Sequence, residues 1–135
     1  MSFQFPVRVY WEDTDAGGIV FYANYLKFFE RARTEWLRHL GLQQHQLKLE
    51  TGGMFVVIET QLKYHSPALL DDLLNVSAVL HGKGRASLVI NQQAHRIEKD
   101  GTQSLLCEGT IRIGWVNIAK MKPERIPLQL LELFK

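Results

Sequence analysis

Residues 11–41 read WEDTDAGGIVFYANYLKFFERARTEWLRHLG, a short acidic loop followed by the longest helical pattern in the chain. From Asn24 onward, apolar residues recur at helical spacing, which predicts a long helix with one broad buried face. The helix is expected to end at Gly41, because glycine readily takes the left-handed conformation that closes a helix C-terminus. Its apolar positions are Tyr25, Leu26, Phe28, Phe29, Ala32, Trp36, Leu37 and Leu40.

A short loop with two aspartates, Asp13 and Asp15, and two adjacent glycines, Gly17 and Gly18, precedes this helix. The first backbone N–H groups of a helix lack intrahelical partners and lie at the positive end of its dipole, so they can hold an oxygen that becomes negative during a reaction. A carboxylate beside them could attack a carbonyl group or activate water to do so. Turns and caps are also rich in Asp and Gly, so a purely structural role stays open at this point.

The rest of the chain has the alternation and the turn residues of strands. We predict strands at Phe5 to Glu12, Met54 to Tyr64, Asn75 to His81, Ala86 to Glu98 and Thr102 to Val116. The segments 82–85 (GKGR) and 99–101 (KDG) are predicted to be hairpin turns, because glycine and Asp-Gly pairs adopt positive φ at little cost. A short helix or turn is expected before Gly52, and another helix from about Pro127.

Alternation also predicts which side chains share a face of the sheet. In the second strand the shared face is predicted to carry Val56, Ile58, Leu62 and Tyr64. In the last long strand it is predicted to carry Leu105, Cys107, Ile111, Ile113 and Trp115. For the C-terminal helix we expect Leu128, Leu131 and Phe134 on one side.

The order of elements, one strand, a long helix and then four strands joined mostly by hairpins, predicts an α+β fold. We expect a single domain over residues 1–135, in which a curved antiparallel sheet of about five strands wraps around one long central helix. So small a sheet leaves strand edges to be protected, which favours a homo-oligomer formed through the sheet.

Composition narrows the classes of function. Sixteen basic against 14 acidic residues give a net charge of +2, too small to indicate a nucleic-acid partner. No apolar run is long enough for a transmembrane segment, and the N-terminus does not resemble a signal peptide, so we expect a cytoplasmic protein. The histidines and the single cysteine, Cys107, show no ligand-like spacing, so neither a metal site nor a cofactor is expected.

Three stretches carry a resemblance to a known family: residues 7–41, residues 63–73 (KYHSPALLDDL) and residues 120–127 (KMKPERIP). The first contains the pattern D-x-D-x-x-G-x-V-x-Y-x-x-Y. The chain resembles the hotdog-fold acyl-CoA thioesterases of the 4-hydroxybenzoyl-CoA thioesterase type, and among them the YbgC-like proteins associated with the Tol-Pal envelope system. The resemblance implies a hotdog subunit, a dimer or homotetramer with active sites between subunits, and hydrolysis of an acyl-CoA.

The resemblance also implies roles for individual residues. Asp15 matches the family's catalytic carboxylate, and Tyr22 matches the position whose backbone N–H polarises the thioester carbonyl, with Gly18 as a second donor. Gly17 and Asn24 are implied to bind substrate. Two residues of the GKGR turn, Lys83 and Arg85, match basic positions that contact the nucleotide of coenzyme A, while Asp13 is expected to brace the loop.

Several alternatives stay open at this stage. Asp15 could be a nucleophile or a general base, and an acyl carrier protein could replace coenzyme A as the carrier. Lys83 and Arg85 could be solvated charges in a turn. A hypothesis from a different class of function is a weakly active oligomer that serves as an interaction protein of the Tol-Pal machinery. The length and type of the acyl chain are not predicted.

Overall fold

The computed structural model describes residues 2–134, which form one antiparallel sheet and three helices. The strands are β1 (Phe3–Arg8), β2 (Gly53–Tyr64), β3 (Leu73–Lys83), β4 (Ser87–Ile97), β5 (Gln103–Asn117) and β6 (Lys122–Pro123). The helices are α1 (Tyr25–His39), α2 (Gln44–Thr51) and α3 (Leu128–Leu131). The sheet curls around α1, which confirms the predicted α+β architecture and adds the two-residue strand β6 to the five strands expected.

The long strands lie in the order β1-β3-β4-β5-β2, and β6 pairs with β5. Both predicted hairpin turns are present: Gly84 N–H donates to Ser87 O at 2.8 Å between β3 and β4, and Gly101 takes a φ of +87° between β4 and β5. Strand β2 instead crosses to the far edge and pairs only with β5 within the described residues. Its outer edge is therefore open to a further strand.

Helix α1 supplies the centre of the core. Phe28, Phe29 and Ala32 are fully buried, and Trp36 lies close behind them. Burial contributes roughly 1.5–3 kcal/mol for each large apolar side chain, so this face holds the helix against the sheet. The helix ends as predicted, because Gly41 takes a φ of +90° and donates its N–H to Arg38 O at 2.9 Å.

A buried amide, Gln92 of β4, ties α1 to two strands. Its Nε2 donates to Phe29 O at 3.0 Å and to Ser77 O at 3.1 Å. Its Oε1 accepts a 2.8 Å hydrogen bond from the Arg33 guanidinium. Arg33 also pairs with Glu30 one turn earlier on the helix. The arginine charge is thus brought into the core with its partners already in place, as a buried charge requires.

The first strand is shorter than predicted. It ends at Arg8 rather than Glu12, and residues Trp11–Asp13 form a single 3-10 turn. The cause is the carboxylate of Asp13, whose Oδ2 accepts the Tyr10 N–H at 2.8 Å. Such a local bond offers the backbone an alternative to pairing in the sheet.

Two β-bulges make the predicted faces partly wrong. The register of β2 against β5 shifts between Val57 and Glu59, so Val56 and Ile58 do not share a face with Leu62 and Tyr64. The register of β5 against β4 also shifts, between the pairs Ala94–Cys107 and His95–Leu105. This shift places Leu105 and Cys107 on opposite faces of the sheet. Each bulge inserts one extra residue, which reverses the alternation beyond it.

The two smaller helices close the fold. Helix α2 ends as predicted at Gly52, which has a φ of +72°. Helix α3 begins after Pro127, as predicted, and leads to the buried Phe134. Leu128, however, is 62% exposed, because α3 has only four residues and Leu130 takes the buried position. No helix formed by residues 2–134 has the length and apolarity needed to cross a membrane.

Candidate active site

The loop that precedes α1 is fixed by Asp13, which is 4% exposed. Its Oδ1 accepts a 2.9 Å hydrogen bond from Asn24 Nδ2, and its backbone oxygen accepts the Phe21 N–H at 3.1 Å. Together with the bond to Tyr10, these contacts join the two ends of the loop to the start of the helix. The bracing role predicted for Asp13 is therefore confirmed.

Asp15 lies at the exposed tip of this loop, in a tight turn. Its Oδ1 accepts the Gly17 N–H at 2.8 Å, and its backbone oxygen accepts the Gly18 N–H at 3.1 Å. Gly18 has a φ of +78°, a conformation that a residue with a Cβ rarely adopts. Within residues 2–134, Oδ2 of Asp15 accepts no hydrogen bond. One carboxylate oxygen is therefore held in place and the other is left to meet a ligand.

Tyr22 begins a 3-10 turn, Tyr22–Asn24, that runs directly into α1. Its N–H has no acceptor among the described residues, as expected for the first turn of a helix. Asp15 and Tyr22 belong to one narrow loop, in which Asp15 pairs with Ile19 and Asp13 pairs with Phe21. These two pairs are two residue steps apart, about 7 Å at the usual rise of a strand. The carboxylate and the N–H thus lie on one rigid structure.

The other residues predicted for the catalytic loop are engaged within it. Gly17 and Gly18 both use their N–H groups to hold Asp15, so the Gly18 N–H is not free for a substrate oxygen in this conformation. Asn24 is 7% exposed, and its amide is bound to Asp13 behind the loop. Gly17 and Gly18 thus shape the turn that presents Asp15, and the substrate contacts predicted for Gly17 and Asn24 stay predictions.

The basic pair predicted to hold the nucleotide lies far from Asp15 in the same chain. Lys83 ends β3, whereas the Asp15 loop packs beside the residues that precede Leu73 at the other end of that strand. Eleven residues of strand put about 33 Å between the two ends. Lys83 Nζ donates to Phe134 O at 2.9 Å, and Arg85 O accepts the Ile126 N–H at 2.7 Å. One chain does not bring this pair and Asp15 together.

Tyr64 is a site residue that the sequence analysis missed. It lies at the end of β2, and its hydroxyl donates to Tyr22 O at 2.9 Å across 42 residues of chain. Its ring also meets those of Tyr22 and Tyr25 edge-on. Partial desolvation raises the pKa of the Tyr64 hydroxyl, although nearly half of the side chain is exposed. Alternation predicted the strand but gave no signal for a partner so distant in sequence.

The change Tyr64→Phe is expected to slow turnover while the fold persists. Loss of one neutral hydrogen bond of about 1 kcal/mol frees the Tyr22 peptide, so kcat for the substrate should fall roughly fivefold with little change in KM. Steady-state kinetics and a thermal unfolding curve measure both effects. An unchanged kcat would show that the hydroxyl does not position this turn.

Cys107 is fully buried in β5, and burial raises the pKa of its thiol to about 12. We expect the folded protein to resist iodoacetamide at pH 8 and the unfolded chain to take up one equivalent. The free energy of unfolding should also fall above pH 9, because the unfolded thiol then loses a proton that the folded thiol retains. Rapid alkylation of the folded protein would contradict this description.

Exposed apolar side chains surround the loop. They are Ile19, Phe21, Tyr22, Tyr64 and Leu69. The loop is docked on the segment before β3 by a 2.9 Å hydrogen bond from Val20 N–H to Ala68 O. Among residues 2–134, no group of three His, Cys, Asp or Glu side chains is arranged to hold a metal ion. The available chemistry is that of a carboxylate and a backbone donor within an apolar surface.

Comparison with known proteins places this chain in a family. Residues 9–134 match the thioesterase-like superfamily. The chain is 42% identical to the acyl-CoA thioesterase YbgC of Haemophilus influenzae, over 98% of this chain and 94% of the relative. It is 41% identical to the acyl-CoA thioester hydrolase YbgC of Escherichia coli O6:H1, over 98% and 96%.

A solved structure confirms the predicted hotdog fold. The 4-hydroxybenzoyl-CoA thioesterase from Pseudomonas sp. strain CBS-3 superposes with a TM-score of 0.90 at 22% identity, over 98% of each chain. At that identity the likeness concerns the fold, while the family rests on the sequence match that spans nearly the whole chain. This chain belongs to the thioesterase-like superfamily.

Proposed function

We propose that this chain hydrolyses the thioester bond of an acyl-CoA to the free acid and coenzyme A, with Asp15 and the Tyr22 N–H as its catalytic groups. The family and the YbgC relatives support the reaction. The observation that carries the assignment of residues is the loop geometry. Asp15 is anchored through Oδ1 with Oδ2 free, and the Tyr22 N–H, in the 3-10 turn that leads into α1, has no acceptor among residues 2–134.

The geometry suits a carbonyl placed with its oxygen on the Tyr22 N–H. Negative charge that develops on this oxygen meets a fixed donor at the positive end of α1. Asp15 then removes a proton from water as the water oxygen attacks the carbonyl carbon, and the C–S bond breaks. The leaving coenzyme A thiolate takes from Asp15 the proton that came from water. Direct attack by Asp15, followed by hydrolysis of the anhydride, uses the same two groups.

The proposal includes an assembly of identical chains, a dimer or a tetramer. Strand β2 has an open edge, and two of its apolar side chains, Val57 and Ile58, are at least half exposed. The distance between Asp15 and the pair Lys83 and Arg85 points the same way, because these residues could serve one active site only if they came from different copies. Gly17 and Asn24 complete the substrate-binding set proposed for the loop.

The proposal extends to the carrier of the acyl group and to the cellular compartment. We place the protein in the cytoplasm, where acyl-CoA and acyl carrier protein are both candidate carriers. A weakly active oligomer that binds partners of the Tol-Pal system is the competing function. The exposed aromatic surface around the loop suits either an acyl group or a partner protein.

Release of thiol from matched acyl-CoA and acyl carrier protein substrates tests this function. We expect turnover of at least one acyl-CoA, with the same acyl group on the carrier protein hydrolysed more slowly. If the acyl group were hydrolysed faster from acyl carrier protein than from coenzyme A, the carrier protein would be the preferred carrier. Rates at background on every substrate, from a correctly folded protein, would reject the thioesterase function and favour the interaction protein.

A further inference from the structure

The connecting segment, residues 67–72, lies between β2 and β3 in the chain and supports the Asp15 loop. Besides the bond that it accepts from Val20, it donates the Leu70 N–H to Gly18 O at 3.4 Å. Gly18 in turn donates its own N–H to Asp15 O. The backbone of Asp15 is therefore only two hydrogen bonds away from the connecting segment.

Neighbouring elements hold the shape of the connecting segment. Asp71 has a φ of +73°, which is uncommon for a residue with a Cβ. Its N–H donates to Val9 O at 3.1 Å, and its backbone oxygen accepts a 2.9 Å hydrogen bond from the Arg8 guanidinium. At the other end of the segment, the Ala68 N–H donates to the Tyr25 hydroxyl at 3.1 Å. The segment thus contacts the start of α1 as well as the Asp15 loop.

Arg96, near the end of β4, joins the two ends of the connecting segment. Its Nη1 donates to Asp72 Oδ2 at 3.2 Å and to Pro67 O at 3.3 Å. The same oxygen of Asp72 accepts the Leu69 N–H at 2.8 Å. One guanidinium nitrogen therefore bridges the first and last residues of the segment, through a carboxylate that also closes its turn.

The position of Arg96 is itself fixed from the sheet. Its Nε donates to Glu98 Oε2 at 3.1 Å, and the Ser104 hydroxyl of β5 donates to the same oxygen at 2.7 Å. The Arg96 side chain is 25% exposed and that of Asp72 is 18% exposed. Both charges are therefore largely shielded from water, unlike the surface ion pairs that contribute little.

We propose that Arg96 is a positioning residue for the proposed catalytic groups, which it orients through the connecting segment. The inference rests on the proposed thioesterase function. Within residues 2–134, Arg96 makes no hydrogen bond to Asp15 or Tyr22, so its effect passes through the backbone that supports them. A displacement of about 1 Å in reacting groups can cost up to about a hundredfold in rate.

The first test measures kcat and KM for wild type, Arg96→Gln and Arg96→Lys. The substrate is whichever of butyryl-, palmitoyl- and benzoyl-CoA the wild type turns over fastest. We expect kcat to fall about tenfold in Arg96→Gln with KM within about twofold, because the displaced groups act on the reaction rather than on binding. Arg96→Lys should recover part of kcat, since it keeps the charge but lacks the guanidinium fork.

Asp72→Asn tests the route and is a milder change if Arg96→Gln unfolds. The Asn oxygen can still accept the Leu69 N–H, while the charge that pairs with Arg96 is lost. We expect a smaller loss of kcat than in Arg96→Gln. The double variant should lose no more than about twofold beyond Arg96→Gln alone, because residues of one network are not additive. Unchanged kcat in either single variant, or losses that multiply in the double variant, would overturn the proposal.

Arg112→Gln is the matched control. Arg112 is an exposed arginine of β5, and its side chain makes no hydrogen bond or ion pair within the part of the chain that the structure describes. The control removes the same charge from the sheet, so it should leave kcat within about twofold of wild type, as is usual for a surface position. A loss equal to that of Arg96→Gln would overturn the role of the Arg96 contacts.

Hydrogen exchange of backbone amides, read by mass spectrometry, follows the loop without any hydrolysis. In Arg96→Gln we expect faster exchange in peptides that cover residues 13–22 and 67–72, because the bonds between the two segments open more often. Peptides that cover α2 should exchange as in wild type, which separates local loosening from a general loss of stability.

The outcomes distinguish the two proposals. Hydrolysis at background by wild type rejects the proposed function, and hydrogen exchange still decides whether Arg96 positions the loop. Unchanged exchange in residues 13–22 of Arg96→Gln would overturn the proposal. An equal rise in α2 would also overturn it, because Arg96 would then support the whole fold rather than the loop.

Discussion

Replacement of Asp15 by Asn is expected to lower kcat at least about a hundredfold while the protein keeps its fold. General acid–base catalysis by a positioned group contributes about 10²–10⁴ in rate, and the amide can neither accept the proton nor attack the carbonyl. An Asn in this turn can still accept the Gly17 N–H through its side-chain oxygen, so the loop geometry is preserved. The loss should therefore be in chemistry rather than in folding, and steady-state release of coenzyme A measures it.

Glu12→Gln is the matched control for this change. Glu12 is an exposed carboxylate of the same segment, and no hydrogen bond within residues 2–134 holds its side chain. The substitution Glu12→Gln removes the same charge three residues from Asp15. The variant should therefore retain nearly full activity. Equal losses in both variants would show that the loop's negative charge matters rather than the carboxylate of Asp15.

The largest expected effect on stability is that of Gln92→Ala. The change removes three hydrogen bonds, two of them fully buried, and leaves the Arg33 charge without its partner in the sheet. Burial lowers the pKa of Arg33, which shows that its charge is already costly to hold there. Breaking such an arrangement costs on the order of 3 kcal/mol or more, measured as the change in free energy of unfolding in urea.

Gln93→Ala serves as the comparison, since Gln93 is the next residue of β4 and lies on the exposed face. Its loss should change the free energy of unfolding by less than about 0.5 kcal/mol, as is usual for surface positions. Comparable destabilisation by the two variants would mean that the buried amide does not tie α1 to the sheet.

Much of the fold could be predicted because its signals are local. The period of the apolar residues in α1, the end at Gly41 and the Asp-Gly hairpin each depend on a few neighbouring residues. The bulges did not show in the pattern, because an inserted residue such as Ile58 continues the apolar run of Val56 and Val57 before it. The pairing of β2 with β5 was beyond prediction for a related reason, since partners distant in sequence are set by the order of the sheet.

The residues of the candidate site could likewise be predicted only where their signals are local. Turn chemistry and the family resemblance together indicated Asp15, Gly17 and Gly18, because a tight turn needs these residue types within a few positions. The contacts of Tyr64 with Tyr22, and of Arg96 with Asp72, join residues 42 and 24 positions apart, and no local rule signals them. Residues that support a site through such contacts are thus those for which the structure was needed.

Binding and turnover measured together in Asp15→Asn test most directly whether Asp15 is the catalytic carboxylate. The variant's Kd for the best acyl-CoA, measured by calorimetry before appreciable hydrolysis, is set against its rate of coenzyme A release. We expect a Kd within about threefold of wild type and a rate lower by about a hundredfold or more. A variant that binds and turns over the substrate as wild type does would show that Asp15 is not the catalytic carboxylate.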